Sequence, residues 1–371
     1  MIKEHSDPEG RFSERSRQDL FLRRMGAMNT FRLLIAGMIH DHVWKMLPQF
    51  VKIPGLRIVG GADPNRPLRE RLHKEYGVSA LFAKPADLFD EVEADGVLVC
   101  DSNAGGVPIV EAAAARGLHT LVEKPMAATA EGARRMFAAA CRNETRVMVN
   151  WPIAWNPSIV HALDLVRSGE IGHVFHARIH MAHQGPKEAG CSPYFWKWLY
   201  DAKLNGAGAL VDYCGYGAAV MATLWGKPKQ VLGVARTLAK PNLPVDDNAM
   251  VVGLWPKRSA LSQASWTQNP DFHDLLFLGV GGTLETVRGK LIHTHTKPGE
   301  YSHWGADRLN RREVKLPKPP PGRRNGPEHF VHALRTGTKF MDLCSAETGV
   351  AAQQILSAGL KSEKTGRRVT L

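Results

Sequence analysis

The sequence predicts an α/β protein in two parts. A doubly wound parallel sheet spans residues 28–150, and an α+β domain with a large open antiparallel sheet spans residues 151–371. The first observation behind this is a strict alternation. The runs "FRLLIA" (31–36), "LRIVGGA" (56–62), "DGVLVC" (95–100), "HTLVEK" (119–124) and "RVMVN" (146–150) are almost continuously apolar, and helix-like segments such as "PIVEAAAARG" and "EGARRMFAAACRN" lie between them. Apolar runs without polar alternation mark strands buried on both faces. Helices between such strands impose right-handed crossovers and a doubly wound sheet. The second observation is that strand-like runs from about 228 to 316, including "NAMVVGLW" and "ALSQASWT", follow one another without helices, as in an antiparallel sheet. The third is length: 371 residues exceed what a single core usually supports.

Between these two sheets, "NPSIVHALDLVRSG" (156–169) reads as one amphipathic helix, and "HVFHARIHMA" (173–182) alternates with period two. The chain closes with the helix "AETGVAAQQILSAGLKS" and a short strand "RRVTL". Residues 1–27 are polar and carry Arg23-Arg24, superficially like a twin-arginine signal. The apolar stretch behind that pair is the first strand, and cleavage there would destroy the sheet. Residues 1–27 are therefore read as a disordered tail or an over-extended start, with Met28 as the beginning.

With 44% hydrophobic and 23% charged residues, the composition is that of an ordinary globular protein. No apolar run reaches the roughly 18 to 20 residues that span a bilayer. The five cysteines are scattered and lack C-x-x-C spacing, which argues against a disulfide framework or a thiolate metal site and predicts a reducing cytoplasm. The net charge of +12 is concentrated late: from Arg288 onward there are 16 Lys/Arg against 7 Asp/Glu. The stretch "RLNRREVKLPKPPPGRR", Arg308 to Arg324, reads as a solvated strand and a Pro-rich connector. No aromatic residues interleave its charges, so no nucleic-acid partner is expected.

In an open α/β sheet, ligands bind beyond the carboxyl ends of the strands. The first such end is "LLIAGMIHDHVW", where Gly37 permits a tight turn. Ile39 and His42 occupy the remaining glycine places of a phosphate-binding G-x-G-x-x-G loop. Side chains there push a pyrophosphate outward, but backbone N–H groups and a helix N-terminus supply most of the attraction. Cofactor binding is therefore expected to survive, with His40 or His42 as an added donor. Asp63 in "GGADPN", 26 residues after Gly37, suits the ribose hydroxyls and repels a 2′-phosphate. NAD is favoured, with NADP the alternative because Arg66 stands nearby. The pairs His40/His42 and His293/His295 alternate like metal ligands, but no carboxylate or thiol joins them at metal spacing in the sequence, so no metal is expected.

The fifth strand ends in "VEKPMA", which sets Glu123 and the Lys124 ammonium at the sheet edge while Pro125 fixes the departing chain. Together with "CDSNAG", "NGAGALVDYCGYGA" and the closing "SAETGVAAQQILSAGLKSEKTGRRVTL", this motif resembles the glucose–fructose oxidoreductase / inositol dehydrogenase / rhizopine-catabolism (Gfo/Idh/MocA) family from about residue 31 onward. The resemblance implies an NAD(P)-dependent dehydrogenase with a Rossmann-like first domain. Such an enzyme moves a hydride between nicotinamide and a hydroxyl or carbonyl carbon of a sugar, polyol or related cyclic compound. The family's nicotinamide- and substrate-touching lysine falls on Lys124, its aspartate on Asp212, the following histidine or tyrosine on Tyr216, and its cofactor-contacting asparagine on Asn103. The chain departs from the pattern at Cys214, where the family has glycine, and at Gly106, where many members have histidine. Alternatives within the resemblance are an NAD-dependent glycosidase and a non-catalytic nucleotide- or sugar-binding regulator. Family members pair through the open sheet, and an apolar face of that size is rarely left to solvent, so a homodimer or homotetramer is expected.

Hydride transfer to or from an alcohol carbon needs a group that takes or gives the hydroxyl proton. A phenol near pKa 10 is too weak a base at neutrality, so the Lys124 ammonium is expected to lower Tyr216 by favouring the phenolate. Asp212, one helical turn before Tyr216, is placed to orient substrate or relay the proton. Trp155 and Trp198, with Trp151 and Trp196, are candidates for walling a sugar. His183 and Gln184, at a strand end, are candidates for binding its hydroxyls.

Overall fold

The structure is a computed structural model that describes residues 30–295 and 310–371. The expectations for residues 1–27, Arg23-Arg24 and Met28 lie outside the described residues.

The first domain alternates β1 (Phe31–Ala36), α1 (His42–Phe50), β2 (Leu56–Ala62), α2 (Arg66–Tyr76), β3 (Leu81–Phe82), α3 (Pro85–Glu91), β4 (Gly96–Val99), α4 (Gly106–Ala115), β5 (His119–Glu123), α5 (Ala130–Arg142) and β6 (Val147–Asn150). Its six strands are parallel in the order β3-β2-β1-β4-β5-β6. The apolar runs explain the arrangement: Leu33, Leu34, Ile35, Val97, Leu98 and Leu121 are fully buried, because helices cover both faces. The two-residue β3 escapes sequence reading because it is too short to show a period.

The second domain contains α6 (Pro157–Ser168), β7 (Val174–Ala182), α7 (Pro193–Leu199), α8 (Ala202–Asn205), α9 (Ala209–Asp212), α10 (Cys214–Trp225), β8 (Gln230–Arg236), β9 (Asn248–Trp255), β10 (Arg258–Ser265), β11 (Phe272–Gly279), β12 (Gly282–Val287), β13 (Lys290–His295), β14 (Asn310–Glu313), α11 (Gly326–Thr336), α12 (Ala346–Thr365) and β15 (Val369–Thr370). The nine strands run β14-β13-β12-β11-β7-β10-β9-β8-β15. The expectation of an antiparallel sheet needs one correction: β7 and β10 are parallel neighbours, so the sheet is mixed. Period-two alternation reports which side of a strand is buried and carries no information about its partner's direction. The parallel pair brings the carboxyl ends of β7 and β10 to the same edge of the sheet, facing the first domain.

Helices α10 and α12 cover one face of this sheet. Helix α12 approaches β8 so closely that a Cβ on Gly233 would strike the Gly359 carbonyl. The other face leaves Leu232, Val234 and Met250 between 37% and 42% exposed. Helix α11 returns to the first domain, where Phe330 meets Phe31 edge-on at 6.2 Å. Within the basic stretch, Arg311 pairs with Glu285, Arg312 with Glu170 and Arg324 with Glu328. No helix among the described residues is long and apolar enough to cross a membrane.

Candidate active site

The site forms where the carboxyl edge of the parallel sheet meets the β7/β10 edge of the second sheet. Lys124 follows β5 and precedes a cis peptide to Pro125. Its Nζ donates to Asp212 Oδ1 at 2.5 Å, and both side chains are about 95% buried. Trp266, just past β10, donates its Nε1–H to Asp212 Oδ2 at 3.2 Å. The ammonium lies 4.8 Å from the Tyr216 ring centre and 5.3 Å from that of Tyr213, within cation–π range of both.

The glycine-rich motif before Asp212 has a geometric purpose. A Cβ on Gly208 would strike the Asp246 carbonyl, and the Asp246 carboxylate accepts the Gly208 and Leu210 N–H groups at 2.7 Å each. Those bonds satisfy donors at the start of α9 and pin its last residue, Asp212, against Lys124. Cys214, at the departure from the family pattern, is buried against β10, where Ser262 Oγ donates to the Cys214 carbonyl. Burial pushes its thiol far up, so it is an inert packing group.

The expected activation of Tyr216 is corrected by the structure. Burial first, then Asp212 and Glu123, pushes its phenol well above the ordinary value. The ammonium covers the ring face instead. Its charge acts on Tyr213, where it opposes a larger upward push from burial and Tyr216. Asp212 and Tyr216 also do not share one helix: α9 ends at Asp212 and α10 begins at Cys214. Tyr213 stands between them, and His183 packs against its ring at 4.5 Å. His183 accepts the Gly185 N–H at Nδ1, which leaves Nε2 to carry the proton of the neutral ring. Burial, partly offset by Asp212, holds His183 below the usual imidazole range and hence neutral.

The phosphate loop is assembled at the neighbouring strand ends. Gly37 adopts φ +75°, and a Cβ there would lie 2.9 Å from that of Asp101, so this glycine is obligatory. At the start of α1, His40 Nδ1 accepts the His42 N–H at 3.3 Å. Asp63 is fully buried: its carboxylate accepts the Met38 N–H at 2.6 Å and the Asn65 N–H at 2.7 Å, and so braces the loop. Ile39 is half-buried, while His40 is almost fully buried against Phe195 and Trp198, with ring centres 4.3 and 5.7 Å away. Asp41 accepts both the N–H and the Oγ–H of Ser192, each at 2.6 Å, which ties α7 down over the loop. Asn103 donates to the Asn205 carbonyl and side chain, a second clasp between the domains. Glu123 accepts from Asn150 Nδ2 at 2.5 Å, and His42 Nδ1 lies 3.1 Å from its other oxygen. The expectation that no carboxylate joins His40 and His42 is thus overturned, because the fold supplies one from β5, 81 positions away.

The expected sugar-binding residues divide. His183 reaches the Lys124–Asp212 pair through Tyr213. Gln184 is exposed and tied to the Glu188 carbonyl and Lys240. Trp198 packs on the loop histidine, and Trp151 meets Tyr216 edge-on. Trp155 donates to Asn150 Oδ1 and lines a separate cavity of about 250 Å³ with Pro317, Pro319 and Pro320. Sequence reading missed Tyr213, Trp266 and Asp246. Only the parallel β7/β10 pairing, in which Ser265 aligns with Ala182, shows that Trp266 and His183 emerge side by side.

A parallel sheet in this strand order, with a glycine turn after β1 and an acid after β2, defines a dinucleotide-binding domain. Residues 32–151 match the family model described as "oxidoreductase family, NAD-binding Rossmann fold", and residues 159–285 match the GFO/IDH/MocA C-terminal domain. The chain belongs to the Gfo/Idh/MocA family of NAD-binding oxidoreductases. It is similar to a D-apiose dehydrogenase from Paraburkholderia graminis, 28% identical over 38% of this chain and 36% of that protein. It is also similar to an uncharacterized oxidoreductase from Rhizobium meliloti, 24% identical over 93% of this chain and 100% of that protein. The match to the D-apiose dehydrogenase thus spans little more than a third of that enzyme's length. The fold resembles that of an oxidoreductase from Agrobacterium radiobacter in complex with NAD+, L-tartaric acid and magnesium, with TM-score 0.76, 15% identity, and coverage of 92% of this chain and 98% of that one.

Proposed function

We propose that the protein is an NAD(P)-dependent dehydrogenase or reductase acting on a hydroxyl or carbonyl carbon of a sugar, polyol or related cyclic compound. Residues 28–150 bind the cofactor and 151–371 the substrate. The observation that carries this is the buried Lys124–Asp212 pair at the edge of β5, ringed by the donors Tyr213, Tyr216, Trp266 and His183.

The cofactor fits the residues present. Gly37 clears the turn into α1, whose N-terminal dipole faces a pyrophosphate although the His42, Val43 and Trp44 N–H groups are already held by His40 and Asp41, and Asp63 and Asn103 stand at the strand ends beside it. When bound, its nicotinamide exchanges a hydride with the substrate carbon. Lys124 holds the reacting oxygen and Asp212 keeps that ammonium charged and aimed. Burial keeps Tyr216 protonated at neutral pH, so it gives its proton to the oxygen as a carbonyl is reduced and is then reprotonated from solvent, whereas oxidation of the alcohol draws on the phenolate form. His183, neutral with its proton on Nε2, is available to donate to a further substrate oxygen.

The exposed Leu232, Val234 and Met250 support pairing of two copies through the open face, which sedimentation at micromolar concentration tests. Five free cysteines support residence in a reducing cytoplasm. The deciding experiment incubates the protein with NAD+ or NADP+ and a panel of aldoses, polyols and inositols while reduced cofactor is followed by absorbance. Turnover of at least one compound is expected. Failure to bind either cofactor at millimolar concentration by calorimetry overturns the reading.

A further inference from the structure

We propose that His40, His42 and Glu123 form a binding site for a divalent transition-metal ion of the zinc, cobalt or nickel class. The turn after β1 brings the two imidazoles, and the end of β5 brings the carboxylate. Their ligand atoms all lie within 4.8 Å of one another, and His42 Nδ1 is already 3.1 Å from Glu123 Oε2. Ligands about 2.0–2.2 Å from a tetrahedral zinc stand roughly 3.4 Å apart, so one pair already has ligand spacing. Side-chain adjustment of under about 1 Å per residue closes the rest. Two imidazoles and one carboxylate suit borderline ions, whereas magnesium and calcium prefer oxygen ligands throughout. Three protein ligands also leave a position open, as in zinc sites that take a water or a small ligand.

The surroundings are built as such a site requires. Asn150 Nδ2 orients Glu123 through Oε1 at 2.5 Å and is itself held by Trp155, so the carboxylate direction is set from behind. Phe195 and Trp198 wall the His40 ring, while the His42 side chain keeps 24% exposure and gives an ion a way in. The neighbouring Lys124 charge is already met by Asp212, leaving the negative charge of Glu123 for the ion.

The test uses the protein without cofactor or substrate, so its result stands apart from the dehydrogenase reading. Titration of chelator-treated protein with Co2+ should give visible d–d absorption at one equivalent, displaced by Zn2+. His42→Ala and Glu123→Gln should each abolish the band, and Asn150→Ala should weaken binding by about 10- to 100-fold. Circular dichroism melts establish that each variant is folded, and His42→Ala, at the most exposed of the three ligands, is the variant least disturbing to packing. Absence of stoichiometric Co2+ binding by the wild type, or a band unchanged in His42→Ala and Glu123→Gln, overturns the proposal.

Discussion

Lys124 and Asp212 meet across 88 sequence positions, Nζ 2.5 Å from Oδ1, with scarcely any of either side chain reaching solvent. Removing one partner strands the other charge in a low-dielectric interior, which costs about 3–5 kcal/mol. Asp212→Asn should therefore lower the unfolding free energy from denaturant titration by that amount and cut turnover at least about 100-fold. Burial opposes the Lys124 charge, but Asp212, aided by Tyr213, outweighs it and holds the ammonium above its ordinary value. A raised lysine stabilises the fold below the unfolded pKa near 10.5 and loses that contribution as pH climbs through the folded value. Wild-type stability should fall in strongly alkaline solution, and Asp212→Asn should show a much shallower decline in denaturant titrations.

The two phenols are separable by kinetics. If Tyr216 moves the proton, Tyr216→Phe should lose about 10²–10⁴ in turnover with cofactor affinity unchanged. Tyr216→His should regain activity that Phe loses, since histidine stands there in other family members. If Lys124 and Tyr216 both act on one oxygen, the double variant Lys124→Ala/Tyr216→Phe should be little worse than the worse single change. Wild-type turnover in Tyr216→Phe, with loss in Tyr213→Phe, would move the role to the phenol on which Lys124 acts.

The Asp41–Ser192 clasp holds α7 over the phosphate loop with two charge-assisted hydrogen bonds. Each such bond contributes about 1.5–3 kcal/mol when well formed. Asp41→Ala should loosen α7, seen as faster proteolysis between residues 185 and 200, and should speed cofactor release in stopped-flow measurements.

His119 lies within β5 and accepts the Arg146 N–H at Nδ1. Burial first, then Arg146, lowers it to about 4. A depressed histidine stabilises above the unfolded pKa near 6.5 and loses this as pH falls toward the folded value. On the order of 3 kcal/mol should disappear between pH 6.5 and 4. Denaturant midpoints across that range check it, and His119→Asn, which keeps an acceptor, should flatten the slope.

Much of the fold is legible locally. "FRLLIA" and "LRIVGGA" coincide with β1 and β2 as they stand, because strands buried on both faces read as near-continuous apolar runs, broken here only by Arg32 and Arg57 near their N-terminal ends. The helix read at 156–169 is α6, bounded by the Asn156 cap and a left-handed Gly169. The short helices α8 and α9 are lost to such reading, since four residues show no period and their positions are set by Asn205 and Asp246 bonds to backbone.

The sequence alone determined the parallel sheet, the obligatory turn at Gly37 and the presence of Lys124 at a strand end, because each follows from nearest neighbours along the chain. Tertiary structure alone decided which groups share the site. Trp266 reaches Asp212 because β10 runs parallel to β7, Glu123 reaches His42 because β5 ends level with the loop after β1, and burial turned Tyr216 away from the phenolate that spacing had suggested. Electrostatics and hydrogen bonding act through space, so a partner 54, 81 or 88 positions away leaves no periodic trace in the sequence.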